Sequence, residues 1–276
     1  MPPEQEQARI WADNRAMGSI TLAVEATGGV TRRVRVGEAG ALRVRFPGPA
    51  SADLMAVIVN TAGGIAGGDR FELEFAAGPG ASLIVTNTAA EKVYRSLGPD
   101  ARFDVKLKIA AGASLVWLPH ETILFDRARL SRRIDVELAG NARLILAEAL
   151  VLGRAGMGET VREGLMFDRW RVRHDNRLVH AEAIRLDGRI ADKLQEAAIT
   201  NGATAIATVL IVPAEQAAIE AIRAWVPQCR GEVGISAWNG RAVARFCAVD
   251  SATLRYDLTA MLSVLRGTPL PRIWLN

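Results

Sequence analysis

The sequence predicts a mainly β protein whose strands repeat and stack as layered, solenoid-like (β-helix-like) sheets, joined to a smaller mixed α/β part with about two helices. Two observations predict this fold class. A strand–turn–strand unit occurs three times between residues 71 and 146, and the apolar pattern changes around residue 203, where helix-like runs begin. Units that recur about every 30 residues are typical of stacked supersecondary structures that share one core.

The three copies of the unit have the same plan. They cover residues 71–75 with 80–85, residues 103–107 with 112–117, and residues 134–138 with 141–146. The second copy follows the first by 32 residues, and the third follows the second by 31 residues in its first strand and by 29 after the turn. Three similar hairpins of an ordinary sandwich remain the alternative interpretation.

The two strands of each unit differ in their expected burial. The first strand alternates apolar and charged residues, so its charged side chains should face solvent. These are Glu72, Glu74, Asp104, Lys106, Asp135 and Glu137. The second strand is almost entirely apolar, which predicts burial on both faces.

Further elements are predicted in order along the chain. Short alternating strands are expected at 19–25, 31–36 and 42–46 before the repeats, and a hairpin with strands 167–173 and 178–186 after them. Beyond residue 203 the sequence predicts a strand over 203–212, a helix over 213–225, a hairpin at Asn239-Gly240 and a helix over 251–266. Ser251 is expected to cap the last helix, whose apolar face carries Leu254, Leu258, Met261 and Leu265. With no low-complexity linker present, we interpret residues 1–276 as one domain, with a β-rich repetitive core at 1–202 and a mixed subdomain at 203–276.

A glycine-rich loop precedes the first repeat. Residues 60–69 read Asn-Thr-Ala-Gly-Gly-Ile-Ala-Gly-Gly-Asp and contain Gly63, Gly64, Gly67 and Gly68. A nucleotide-binding glycine loop would open a helix, whereas an alternating strand follows here. The sequence therefore favours a structural turn between two strands, and it leaves open whether that turn also contacts a ligand or partner.

Composition excludes several classes of protein. A chain of 276 residues can bury a core without a disulfide or a metal. Its two cysteines, Cys229 and Cys247, form no CxxC pair and fit a reducing, cytoplasmic location. Residues 1–7 lack the features of a signal peptide, and no apolar run reaches transmembrane length. The net charge of +4 is small for a nucleic-acid binder but suits a rim that docks an acidic protein.

No catalytic motif is present. The chain has neither a GxSxG nucleophile elbow nor an HExxH zinc motif. One carboxylate stands out, because Glu148 is the only charged residue in the apolar strand 144–152. A buried carboxylate needs a partner or a raised pKa. Arg143 or Arg154 could pair with it, and the alternative is a polar position that lines an internal channel.

Four segments resemble a known family. They are Asn60–Asp69, Thr86–Arg95 (Thr-Asn-Thr-Ala-Ala-Glu-Lys-Val-Tyr-Arg), Trp117–Phe125 (Trp-Leu-Pro-His-Glu-Thr-Ile-Leu-Phe) and Glu148–Glu159 (Glu-Ala-Leu-Val-Leu-Gly-Arg-Ala-Gly-Met-Gly-Glu). In this order they resemble the UreD (UreH) family of urease accessory proteins.

The resemblance implies a mostly β accessory protein that is not an enzyme. Such a protein would act in a dimeric accessory complex with UreF and the GTPase UreG, dock on apo-urease and help to place nickel in its active site. Nickel would be cargo in transit, with no permanently bound cofactor. The carboxylates that we assign to a transient nickel path are Asp69, Glu148 and Glu159. The structural alternative is that these carboxylates pair with Arg70, Arg143 or Arg154.

A different class of function is the alternative. A carbohydrate- or lipid-processing enzyme on a β-helix scaffold would present a cleft with two carboxylates about 5–10 Å apart. A buried polar tunnel that opens onto protein-docking surfaces would favour the accessory protein.

Overall fold

Two β-sheets pack face to face, and helices cover the outer side of the second sheet. The computed structural model describes residues 15–48, 52–267 and 270–274. The expectation for residues 1–7 lies outside this range. None of the helices in the described part is long and apolar enough to cross a bilayer.

The first sheet has seven strands. They are β1 (Met17–Thr27), β2 (Val30–Gly40), β5 (Arg70–Ala77), β8 (Ala101–Ile109), β11 (Arg129–Leu138), β13 (Gly164–His174) and β14 (Arg177–Gly188). Their order across the sheet is β14-β13-β11-β8-β5-β1-β2. The five central strands run parallel, and an antiparallel hairpin closes each edge. The predicted hairpin around residues 174–176 is the β13–β14 pair.

The second sheet has ten strands, eight of which form one continuous path. These are β3 (Leu42–Arg45), β4 (Asp53–Asn60), β6 (Ser82–Asn87), β9 (Ser114–Trp117), β12 (Arg143–Leu152), β15 (Ala205–Val212), β16 (Glu232–Trp238) and β17 (Arg241–Ala248). Their order is β16-β17-β15-β12-β9-β6-β4-β3. Two short strands, β7 (Glu91–Val93) and β10 (Thr122–Leu124), lie beside the C-terminal end of β12. Strand β10 pairs in parallel with β12, and β7 pairs in parallel with β10. The strands beyond residue 203 thus continue the same sheet through main-chain hydrogen bonds.

The predicted repeat is confirmed as a stack of coils. Strands β5, β8 and β11 lie side by side in the first sheet, and β6, β9 and β12 lie side by side in the second. One offset was wrong: β8 and β11 pair Val105 with Ile134, a shift of 29 residues rather than 31. The shift stays at 29 beyond the turn, where Ser114 pairs with Arg143. A constant shift keeps every main-chain hydrogen bond of the parallel ladder.

Two apolar cores flank the second sheet. The first core fills the space between the sheets, and the second lies between the second sheet and the helices. This explains why β12 and β15 are buried along nearly their whole length. Two helices, α2 (Gln216–Trp225) and α3 (Ser251–Arg266), pack into the second core. The short helix α1 (Ile190–Leu194) contributes Ile190 and Leu194 to the first core. The outward charged side chains of the repeats are half-buried or exposed, as predicted.

Details of the C-terminal elements differ from the expectation. Helix α2 begins at Gln216, three residues after Pro213. Asp250, rather than Ser251, caps α3, because its Oδ1 accepts a hydrogen bond from the Thr253 amide at 2.7 Å. The Asn239-Gly240 turn is confirmed, with both residues at positive φ. The apolar face of α3 is buried at Leu254, Leu258, Met261 and Leu262 and packs into the second core.

Candidate functional site

Glu148 lies in β12 and points into the space between the sheets. Its side chain is only 4% exposed. Its Oε1 accepts a hydrogen bond from the indole Nε1 of Trp117 at 2.7 Å, and its Oε2 pairs with Arg132 of the opposite sheet. A buried ion pair was one of the two expected outcomes for this residue.

The expected partners of Glu148 were wrong. Arg143 pairs with Glu215 at 2.7 Å, and Arg154 pairs with Glu159 at 2.6 Å. Arg143 is five positions from Glu148, so the pleat of the strand turns it to the other face. Arg154 lies six positions away, about 20 Å along an extended strand. The buried pair therefore forms across the two sheets instead of along one strand.

A second carboxylate shares the same arginine. Asp168 in β13 accepts a hydrogen bond from Arg132 Nη2 at 2.5 Å and another from Trp170 Nε1 at 3.1 Å. Arg132 also donates to the Thr122 hydroxyl at 3.2 Å. The Arg132 and Asp168 side chains are 6% and 3% exposed. One guanidinium thus lies between two buried carboxylates, which leaves this cluster one negative charge in excess when both carboxylates are ionised.

Burial and charge act in opposite directions on this cluster. Burial raises the pKa of Glu148, the nearby negative charge of Asp168 raises it further, and Arg132 and Trp117 only partly compensate. Burial works to lower the pKa of Arg132, but the two carboxylates outweigh burial and raise it. Arg132 therefore stays charged, and Glu148 holds a proton more readily than an exposed glutamate does.

A row of polar side chains connects the cluster with the open edge of the sandwich. Glu148 pairs across the sheet with Thr208 of β15, and Thr208 pairs with Arg245 of β17. Residues paired in this way share one face of the sheet. Arg245 contacts the Thr208 hydroxyl at 3.5 Å and bridges to Glu182 of β14 at 2.7 Å. A cleft of about 450 Å³ opens there and is lined in part by Thr208, Arg245 and Ile184.

Asp69 closes the glycine loop and is buried. Its Oδ1 accepts a hydrogen bond from the Ala16 amide at 2.8 Å, and its Oδ2 accepts one from the Ala66 amide at 2.7 Å. It therefore ties the start of β1 to the loop. The expected structural partner, Arg70, is not the group that Asp69 contacts.

Glu159 lies half-buried beyond the end of β12. Its ion pair with Arg154 was the expected structural alternative to a metal-path role. Arg154 also packs over the Phe125 ring at 4.0 Å. Across the described residues, no hydrogen bond or ion pair joins Asp69, Glu148 and Glu159 to one another. Nor do those residues contain a group of three or more histidine, cysteine or carboxylate side chains arranged to hold a metal ion.

The glycine loop is a strand-to-strand turn, as predicted. It connects β4 to β5 and rests on β7, because the Ile65 amide donates to the Lys92 carbonyl at 2.7 Å. Gly63, Gly64 and Gly68 have positive φ, and Gly67 packs against Ser96. Asn60 Nδ2 donates to Gly64 O at 2.9 Å and to Glu91 Oε1 at 3.0 Å.

The four segments that carry the resemblance meet at one end of the stacked coils. The Tyr94 amide donates to the Ile65 carbonyl at 2.8 Å, the Phe125 amide to Val93 O at 3.0 Å, and the Gly153 amide to Leu124 O at 2.8 Å. These bonds link residues from each of the four segments in turn. Segments that are up to about a hundred residues apart in sequence thus form one continuous surface.

His120 belongs to this end but is enclosed. Its ring stacks on Trp274 with centroids 5.1 Å apart, and Arg255 of α3 lies 3.1 Å from its Nδ1. Burial lowers its pKa, with Arg255 as a further cause. The backbone amide of His120 donates a hydrogen bond to Asn87 Oδ1 at 2.7 Å.

Arg132 and Asp168 are the functional candidates that the sequence interpretation missed. With the 31-residue offset, Arg132 fell outside the third copy. With the observed offset of 29, Arg132 pairs with Phe103 and occupies an inward position of β11. A charged residue at an inward position of an otherwise apolar repeat is the signal that could have identified it.

Comparisons with known proteins agree with the resemblance. The family model for the UreD urease accessory protein matches residues 16–275. The urease accessory protein UreD 3 of Bradyrhizobium sp. strain BTAi1 is 55% identical over 274 residues, covering 99% of both chains. The urease accessory protein UreD of Rhodopseudomonas palustris strain BisA53 is 54% identical over 270 residues, covering 98% of this chain and 94% of the relative. This chain therefore belongs to the UreD family of urease accessory proteins.

Proposed function

We propose that this protein is a maturation scaffold for urease that conveys nickel. In this proposal it acts in the cytoplasm with UreF and UreG, in a dimeric accessory complex, and docks on apo-urease while Ni²⁺ is inserted. Its family is one of accessory proteins and not of enzymes. The alternative of a carbohydrate- or lipid-processing enzyme is therefore wrong. In keeping with this, Glu148 and Asp168 are buried around Arg132 and do not face an open substrate cleft.

The observation that carries the nickel proposal is the polar row between the sheets. It begins at a buried cluster with two carboxylates and one guanidinium and continues through Thr208 to the cleft at Arg245. Excess negative charge in a low-dielectric space attracts a cation. Ni²⁺ lies high in the order of divalent-metal affinities, so a path for it must avoid strong, complete ligand sets. Scattered oxygen ligands meet that requirement.

Asp69 and Glu159 are retained in the proposal as carboxylates at the loop end of the coils. Each also has a structural contact, Asp69 with two backbone amides and Glu159 with Arg154. Asp69→Asn would place an amide nitrogen against one of those N–H donors, and an unmet buried donor costs about 1–3 kcal/mol. A nickel defect in that variant has to be judged together with its stability.

Deletion of the gene from a urease operon tests the accessory role. We expect abundant urease protein that is nickel-poor and inactive, measured by metal analysis and urea hydrolysis of the purified enzyme. Restoring the gene in trans should restore both readouts. Fully active urease from the deletion strain would refute the proposal.

Substitutions along the row test the path separately. Glu148→Gln and Thr208→Val remove an anion and a hydroxyl at nearly constant shape. We expect both variants to be recovered with their partners while urease receives less nickel. Glu196→Gln, which changes an exposed carboxylate outside the row, is the matched control. If Thr208→Val loads nickel normally and Glu148→Gln loses nickel only in proportion to its loss of stability, the row is structural and the path is wrong.

A further inference from the structure

A second candidate site lies at the loop end of the first sheet. It is a groove of about 450 Å³ between the loop after β7 and the start of β13. Its walls carry three arginines, Arg95, Arg127 and Arg129, and its lining includes three glycines, Gly98, Gly164 and Gly188. The glycines leave the groove free of side chains where they line it, so a bound chain can approach the backbone closely.

The backbone holds the arginine walls in fixed positions. The Ser96 amide donates to Arg127 O at 3.0 Å, and the Arg127 amide donates to Glu163 O at 2.8 Å. Arg127 has a φ of 63°, which is uncommon for a residue with a side chain. Such conformations persist only where surrounding contacts enforce them, and they concentrate at functional sites.

The guanidinium groups of the groove are available for an incoming anion. Among the described residues, Arg95 has no hydrogen-bond or ion-pair partner for its side chain. Arg127 pairs with Glu163 at 3.0 Å, but both side chains are about half exposed. Arg129 pairs with Asp100, again with both side chains more than a third exposed. Exposed pairs of this kind contribute only about 0–1 kcal/mol, so a ligand carboxylate can replace them at little cost.

An apolar side chain lies at the rim of the groove. Leu97 is 63% exposed and belongs to the same loop as Arg95. A leucine beside guanidinium groups suits a ligand that carries both an apolar residue and carboxylates. A free inorganic anion would use only the arginines.

We propose that this groove binds an acidic, leucine-containing peptide segment of a partner protein. The inference rests on the proposed function, because a scaffold needs such docking sites, but the groove is separate from the polar row. Arginine forks bind carboxylates in a bidentate manner, which favours peptide carboxylates placed at regular spacing. The complementary charge selects an acidic partner over a basic one.

Fluorescence anisotropy with defined peptides tests the proposal on the full chain. The probe is a fluorescein-labelled peptide in which leucine alternates with pairs of glutamates. The control peptide has glutamine in place of every glutamate. We expect the glutamate peptide alone to bind at low salt. Arg95→Gln should weaken binding about tenfold, the loss expected for one hydrogen bond to a charged group. Arg32→Gln, which removes an exposed arginine from the opposite edge strand β2, should leave binding unchanged.

A second pair of variants tests the shape of the groove. Gly188 has a φ of 64°, and no atom lies within 4 Å of the point that a Cβ would occupy, so Gly188→Asn should fold and partly fill the groove. Gly28→Asn makes the same change at the β1–β2 turn, where φ is 59° and the space is also open. We expect only Gly188→Asn to weaken peptide binding.

Four results would overturn the proposal. The first is that the glutamate peptide does not bind, and the second is that the glutamine control peptide binds equally well. The third is that Arg32→Gln weakens binding as much as Arg95→Gln does. The fourth is that millimolar inorganic phosphate displaces the peptide as readily as unlabelled peptide does. The last result would indicate a simple anion site. None of them bears on nickel delivery, which the gene deletion decides.

Discussion

Arg132 occupies the position in β11 that Phe103 occupies in β8. The two residues are register partners in the parallel ladder, and Phe103 is in turn the partner of Phe71 in β5. Four register partners in successive strands therefore form one column across the first sheet. This column contains phenylalanine in β5 and β8, arginine in β11 and Asp168 in β13. The third strand of the repeat thus carries a charge at a position that is apolar in the other two, and Glu148 of the facing sheet and Asp168 of the next strand both pair with that charge.

This relationship predicts how the cluster responds to substitution. Arg132→Met should destabilise the fold by about 3–5 kcal/mol, because two buried carboxylates would lose their cation. The triple variant Arg132→Phe, Glu148→Leu, Asp168→Leu should be more stable than the single variant, since it restores the apolar column. Urea denaturation followed by fluorescence measures both. A single variant as stable as the unsubstituted protein would show that the ion pairs contribute nothing.

The glycine loop is predicted to tolerate a side chain at Gly63 but not at Gly64. Gly64 has a φ of 149°, and a Cβ there would overlap the Tyr94 ring and approach Lys92 O to 2.9 Å. Gly64→Val should therefore lower the melting temperature and the soluble yield. Gly63→Asn is the control, because Gly63 has a φ of 76° and open space around a Cβ. Equal melting temperatures for the two variants would contradict the assignment.

Gly68 tests the same loop near its end. It has a φ of 90°, and a Cβ would lie 3.1 Å from the flexible side chain of Arg15. The cost of Gly68→Val should come from its backbone conformation, about 1–2 kcal/mol. We expect a smaller loss of stability than for Gly64→Val in the same thermal melt. A larger loss would mean that the Arg15 contact is rigid.

Helix α3 is predicted to be held by its apolar face. Leu258 is 1% exposed in the second core, so Leu258→Asp should bury an unpaired charge and lower the unfolding midpoint strongly. Val264, on the same helix, is 39% exposed, and Val264→Asp should change the midpoint little. An unchanged midpoint for Leu258→Asp would mean that this face is free in solution.

Glu91 should make stability depend on pH. Burial raises the pKa of its carboxyl from 4.5 to about 7, and the hydrogen bond from Asn60 offsets this only in part. A raised folded pKa gives a contribution that is fully present below pH 4.5 and is lost as the pH rises through about 7. The loss should be on the order of 3 kcal/mol. Urea unfolding between about pH 4.5 and 8 should show a smaller decline in Glu91→Gln than in the unsubstituted protein. The part that remains belongs to Glu148, whose pKa burial also raises.

Much of the fold could be predicted from local sequence. The alternating strands and the all-apolar strands have different periodicities, and their recurrence identified the stacked coils. The Asn239-Gly240 hairpin and the strand–turn–strand role of residues 60–69 follow from turn chemistry within a few residues. The cap of α3 was misplaced by one residue, because Asp250 and Ser251 are both good capping residues and the sequence does not choose between them.

The candidate site was only half predictable. Glu148 is conspicuous as the one charge in an apolar strand, and the sequence by itself determined that it needs either a partner or a raised pKa. Which partner it finds was decided by the tertiary structure alone. Arg132 reaches it from another sheet, and a two-residue error in the offset between β8 and β11 had hidden the inward position of Arg132. Pairing across sheets depends on register and packing, which no local pattern encodes, so the sequence determined the stack of coils while the tertiary structure determined the ionic cluster inside it.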